Sequence, residues 1–141
     1  MDANLNRARE GLRVCEEITR FAANDKKVTA SLKRARHTVS RSIALLPVPY
    51  ETLIRARDSR KDVGKEPSAL ETSRKGVFGL FAANIERVKE ALRVLEEFSK
   101  LLDNKLPAVY KRIRFSVYTL EKKTLPKLAA IRDNRSRRSR A

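Results

Sequence analysis

The sequence holds a single cysteine, a single histidine and no tryptophan. One cysteine excludes a disulfide framework and fits a reducing compartment, read here as the cytoplasm. One cysteine and one histidine together exclude a Cys/His zinc site. Glycine (4) and proline (5) are scarce, and the prolines stand where helices would start or stop. No apolar run approaches the roughly 20 residues needed to span a bilayer, so no membrane partner is expected. No basic stretch followed by an apolar one opens the chain, and no signal peptide is read. The phosphate loop GxxxxGKS/T and the fingerprint GxGxxG are both missing, as is any Ser-His-Asp or Cys-His arrangement.

What is abundant is positive charge. Lys and Arg number 33 against 17 Asp and Glu, for a net charge of +16 over 141 residues. That balance calls for an anionic partner: nucleic acid, a membrane surface or a phosphorylated small molecule. With 41% hydrophobic residues the chain can still bury one core. Part of the charge lies in "IRDNRSRRSRA", Ile131 to Ala141, with five Arg and one Asp. The expected layout is one helical domain over residues 1–131 and a basic, disordered tail over 132–141.

One helix is written twice. "ANLNRAREGLRVCEEITRF" begins at Ala3, and "ANIERVKEALRVLEEFSKL" begins at Ala83; nine of nineteen aligned positions are identical. "KRARHTV" from Lys33 likewise returns as "KRIRFSV" from Lys111. The expected fold is therefore all-α: a helical bundle built from a duplicated hairpin, with a helix-loop insert between the copies. Helices are expected near 3–23, 28–46, 50–57, 68–102 and 107–131. Asp2 is the expected N-cap of the first, and Ser68 with Glu71 a capping box for the fourth. A break is expected near Gly76 and Gly79. No segment alternates like a strand.

At about 100° per residue, Leu5, Ala8, Leu12, Cys15, Ile18 and Ala22 form one stripe of the first helix. Asn4 falls in its middle and Arg7 within it; Asn84 and Arg87 repeat the arrangement. Gly11 and Ala91 are small and leave room for something to come close. On the second helix Val28, Leu32, Ala35, Val39, Ile43 and Leu46 form the stripe, with Arg36 at its edge and Arg114 in the same place of the second copy. Arginine suits phosphate because its planar fork donates two hydrogen bonds. The alternative is that these arginines pair with Glu16 and Glu96 and fix helix register. Glu10, Arg13 and Glu17, like Glu90, Arg93 and Glu97, have the spacing of surface pairs. His37 reads as solvent-facing or structural, and Cys15 as an inert core residue. In the insert, "ARDSRKDVG" places Arg57, Asp58, Asp62 and Gly64 on one loop, where two carboxylates suit Mg²⁺ and Arg57 a phosphate.

The ordered set "DANLNRAREGLRVCEE", "LKRARH", "ARDSRKDVG" and "ANIERVKEALRVLEEF" resembles the small helical hydroxymethylpyrimidine-phosphate kinases of thiamine biosynthesis, over roughly residues 2–120. That domain stands alone or fused ahead of thiamine-phosphate synthase. The resemblance implies phosphoryl transfer from ATP to a phosphorylated pyrimidine substrate, 4-amino-5-hydroxymethyl-2-methylpyrimidine phosphate, giving the diphosphate. On this reading Arg7, Arg36, Arg87 and Arg114 hold phosphates inside the bundle, and Asn4 and Asn84 orient the pyrimidine or a phosphate oxygen. Asp58 and Asp62 hold Mg²⁺ beside Arg57 as the catalytic set, and Gly64 lets the loop close. Thiamine-phosphate synthase is a possible partner, and so is a second copy of the chain. Two rivals belong to other classes: a basic helical RNA-binding protein, disfavoured by the scarcity of aromatics for stacking, and a non-catalytic module of thiamine-phosphate synthase.

Overall fold

Five helices form along the chain: α1 (Asp2–Phe21), α2 (Lys26–Ser42), α3 (Tyr50–Arg55), α4 (Gly76–Ser99) and α5 (Leu106–Arg138). The computed structural model describes residues 1–57, 76–102 and 105–138, with side chains as far as Ile131. No strand occurs among the described residues, and the all-α expectation holds. None of the described helices is long and apolar enough to cross a membrane.

Local chemistry sets most of the boundaries. The N-cap of α1 is Met1, whose carbonyl accepts the N–H groups of Asn4 and Leu5, each at 3.0 Å. Asp2 is thus not the cap; it lies in the first turn, where a carboxylate favours the helix dipole. Asn24 takes a left-handed conformation (φ 50°), which asparagine tolerates better than most residues. Asp25 then caps α2 by accepting the Val28 N–H at 3.0 Å. α2 tightens into a 3₁₀ turn over Ile43–Leu45 and stops before Pro47 and Pro49. Ser68 and Glu71 lie outside the described residues. Gly76 opens α4 with φ 69°, and the helix runs unbroken through Gly79.

The last helix departs from expectation. It continues past the expected end at Ile131 to Arg138. Arginine is a good helix former, and neither Gly nor Pro follows Ile131. Pro126 is accommodated inside α5, which leaves one carbonyl a turn earlier without its usual donor.

The stripes meet in one core. α1 buries Leu5, Ala8, Leu12, Cys15 and Ile18; α2 buries Val28, Leu32, Ala35 and Val39. α4 adds Phe81, Ile85, Val88, Leu92 and Leu95, and α5 adds Tyr110, Ile113, Val117 and Leu120. α1 packs on α2 and α4, and α5 packs on α4 and α2, so the four long helices close a ring. α2 and α5 run antiparallel: Lys127 pairs with Asp25 at one end, and Ser42 donates to the buried Tyr110 hydroxyl at 3.0 Å at the other.

α1 and α4 cross closely. A Cβ at Gly11 would stand 2.7 Å from Val88 Cγ2 and 3.0 Å from the Asn84 carbonyl oxygen. What comes close at Gly11 is thus the backbone of α4. Gly11→Leu should destabilise the protein by about 1–3 kcal/mol through overpacking. Gly79 has nothing within 4 Å of an added Cβ, so Gly79→Ala should instead stabilise by roughly 0.5–1 kcal/mol. Urea unfolding of the two variants measures both.

Candidate functional site

Two glutamates are buried, Glu16 at 4% and Glu96 at 5% exposure, and each is held by two arginines. Glu16 accepts from Arg36 Nε at 2.9 Å and from Arg13 Nη1 at 3.4 Å. Glu96 accepts from Arg114 Nε at 2.9 Å and from Arg93 Nη1 at 3.1 Å. Arg13 also bridges to Glu17 at 2.7 Å and Arg93 to Glu97 at 2.8 Å, as i,i+4 spacing allows. The duplicated sequence builds the same clamp in both hairpins. For Arg36 and Arg114 the pairing with Glu16 and Glu96 is thus realised. Arg114 donates further to the Tyr118 hydroxyl at 3.1 Å and lies over the Phe115 ring. Glu16 takes only the Nε of Arg36, and no other partner holds its terminal nitrogens among the described residues.

Arg7 and Arg87 are exposed, which corrects the inward placement expected from the helical wheel. Each sits at the rim of its stripe, and the close crossing of α1 and α4 leaves no interior space for a guanidinium. A long side chain at a rim reaches for water. Asn4 and Asn84 are half-buried beside this crossing; Asn84 Nδ2 donates to the Leu80 carbonyl at 2.8 Å. No internal cavity shared by the two hairpins gathers the predicted arginines among the described residues.

Arg57 lies just past α3 and grips Asp2 with two hydrogen bonds, Nε at 2.6 Å and Nη2 at 2.8 Å. The bond to Asp2 raises the guanidinium pKa further. This grip ties the chain just past α3 to the first turn of α1. Asp58, Asp62 and Gly64 themselves lie outside the described residues. Beside the elbow between α2 and α3 opens a shallow cleft of about 730 Å³, lined by Ser40, Ile43, Pro47, Pro49 and Tyr50 among others. Ser40 is one turn beyond Arg36, to whose carbonyl it donates at 3.2 Å. The predicted residues therefore fall in separate places: Arg36 between α1 and α2, Arg57 just past α3 against Asp2, Asn4, Arg7, Asn84 and Arg87 at the α1–α4 seam, and Arg114 between α4 and α5.

One cluster escaped the sequence reading. Lys89 is largely buried and bonds Glu121 at 2.8 Å and Glu86 at 2.6 Å. Burial pulls its pKa down, but the bonds to Glu121 and Glu86 outweigh this and hold it above the ordinary value. Lys89 matches Arg9 in the repeat, but Glu121 matches Ile43, so a search for duplicated features passes over the pair. No group of three or more His, Cys, Asp or Glu side chains suited to a metal occurs among the described residues.

Residues 1–123 match the ThiD2 family. A thiamine-phosphate synthase of Synechocystis sp. is 46% identical over 122 residues, covering 86% of this chain and 34% of that protein. One of Thermosynechococcus vestitus is 43% identical over 122 residues, covering 86% and 33%. One of Rhodopirellula baltica is 38% identical over 132 residues, covering 93% and 35%. The chain thus spans about a third of the length of these curated relatives. No solved structure matches it.

Glu96→Ala should cost about 2–3 kcal/mol, because it strands Arg114 and Arg93 around an emptied acceptor site. Glu97→Ala, on the exposed side of the same helix, should stay within about 0.5 kcal/mol. Chemical denaturation distinguishes the two. The Cys15 thiol is fully buried and pushed up to about 12, chiefly by burial and secondarily by Glu121. Iodoacetamide at neutral pH should leave it unmodified in the native protein and alkylate it on unfolding, as read by intact mass.

Proposed function

The chain belongs to the ThiD2 family, and from that premise we propose that it transfers a phosphoryl group from ATP to hydroxymethylpyrimidine phosphate in thiamine biosynthesis. The observation that carries the reading is the reach of the match: it takes in both hairpins and the insert, and the relatives found are named thiamine-phosphate synthase. The pyrimidine diphosphate made here would supply such a synthase.

Phosphoryl transfer is mostly positioning and charge neutralisation. On this reading the elbow cleft seats the pyrimidine ring between Pro47 and Tyr50. Arg36 offers its terminal nitrogens to the substrate phosphate while Glu16 fixes its Nε. Arg57, fixed by Asp2, starts the loop that carries Asp58 and Asp62. These two carboxylates would hold Mg²⁺, which when bound neutralises phosphate charge, and Gly64 would let the loop close. Arg7 and Arg87 offer phosphate contacts on the α1–α4 seam, with Asn4 and Asn84 beside them. Arg114, bound by Glu96 and Tyr118, has less of its fork free for a phosphate.

A second reading draws on the outward arginines. Exposed Arg7 and Arg87 are what a basic RNA-binding surface predicts. A third, a non-catalytic module of thiamine-phosphate synthase, draws on the chain's one-third share of its relatives.

The test is diphosphate formation from the pyrimidine monophosphate, ATP and Mg²⁺. The native chain should turn over, and Asp62→Asn and Arg57→Ala, with unchanged helical circular dichroism, should each lose on the order of 100-fold in kcat/KM. Native rates in both variants would overturn the site. No turnover by the native chain would overturn the kinase, and tight, steeply salt-dependent RNA binding would then favour the second reading.

A further inference from the structure

The repeated "KR-x-R" motif puts two arginines in each second helix, and the fold gives them opposite fates. Arg36 and Arg114 turn toward the buried glutamates. Arg34 and Arg112, two residues earlier in each copy, turn instead into a groove of about 500 Å³ between α2 and α5. Lys123 also lines this groove, over an apolar floor of Ala35, Ile113 and Leu120. No carboxylate lines it.

We propose that this groove is a binding site for a small oligophosphate anion. Arg34 and Arg112 hold equivalent positions in the two copies, so the antiparallel packing of α2 and α5 brings like charges to one groove. Both side chains are exposed, so water screens their repulsion, but an anion in the groove would meet both forks at once. Elsewhere Arg13, Arg36, Arg57, Arg93 and Arg114 have carboxylate partners, whereas the exposed Arg7, Arg20, Arg41, Arg55 and Arg87 have none among the described residues. Among the described residues Arg34, Arg112 and Lys123 have none; Arg34 Nη2 meets only the Ser31 hydroxyl, at 2.7 Å. The hydroxyls of Thr38 and Ser116 also line the groove but donate to carbonyls of their own helices, at 3.0 Å to Arg34 and 2.7 Å to Ile113. Recognition therefore falls to the guanidinium forks and the ammonium. The groove is the size of a nucleotide-like ligand. Its role stands whether or not the chain phosphorylates the pyrimidine.

The probe is inorganic tripolyphosphate, titrated calorimetrically into the full chain with no pyrimidine present. The native chain should bind it, more weakly as salt rises. Arg34→Ser/Arg112→Ser, both at exposed positions, should bind about tenfold more weakly or worse, while Lys26→Ser/Lys27→Ser, an equal loss of charge outside the groove, should stay within about twofold. Absent binding, or equal weakening in both double variants, would overturn the proposal, since net charge alone would then explain the attraction. Displacement of tripolyphosphate by a single-stranded RNA oligonucleotide that binds far more tightly through the same two arginines would overturn it in favour of a nucleic-acid surface.

Discussion

Two buried carboxylates organise this strongly cationic chain. Glu16 and Glu96 each sit inside the hairpin seam and draw in one arginine from their own helix and one from the next. Isolated, such a carboxylate would be costly to bury; held by two guanidiniums it fixes the register of α1 on α2 and of α4 on α5. The apolar stripes can then close into one core without sliding. The same contacts remove Arg36 and Arg114 from the interior charge balance, so the bundle needs no internal anion to be stable.

The second constraint is the crossing at Gly11. The backbone of α4 comes so near that no larger residue fits without displacement. That closeness seals the space between the hairpins and sends Arg7 and Arg87 to the surface. The cationic side chains outside the core include Arg57, which bonds Asp2 just past α3, and Arg34 and Arg112, which line the α2–α5 groove. Membership of the ThiD2 family sets the metabolic context.

Much of the architecture was legible because helical period and duplication are local signals. The stripe from Leu5 to Ile18 and that from Val28 to Val39 are buried as read. The alternative pairing of Arg36 with Glu16 followed from their places at the stripe edges. The direction of Arg7 was not legible: a helical wheel places its Cα at the rim, but which way a long side chain turns depends on how near the neighbouring helix lies. The Lys89–Glu121 pair was hidden for another reason, since it joins positions that match Arg9 and Ile43 in the other copy. The end of α5 at Arg138 was not legible, because no Gly or Pro after Ile131 marks a stop.

The amino-acid order alone determined that the chain is helical, duplicated, basic and free of disulfides. Those properties follow from residue type and spacing, which act within a few turns of one another. Only the tertiary structure decided which arginines are neutralised and which face a groove. Arg34 and Arg36 are nearly identical in sequence context, yet one meets Glu16 and the other meets its counterpart's groove. The difference arises from about 200° of helical rotation between them, given meaning by which helix packs on each side.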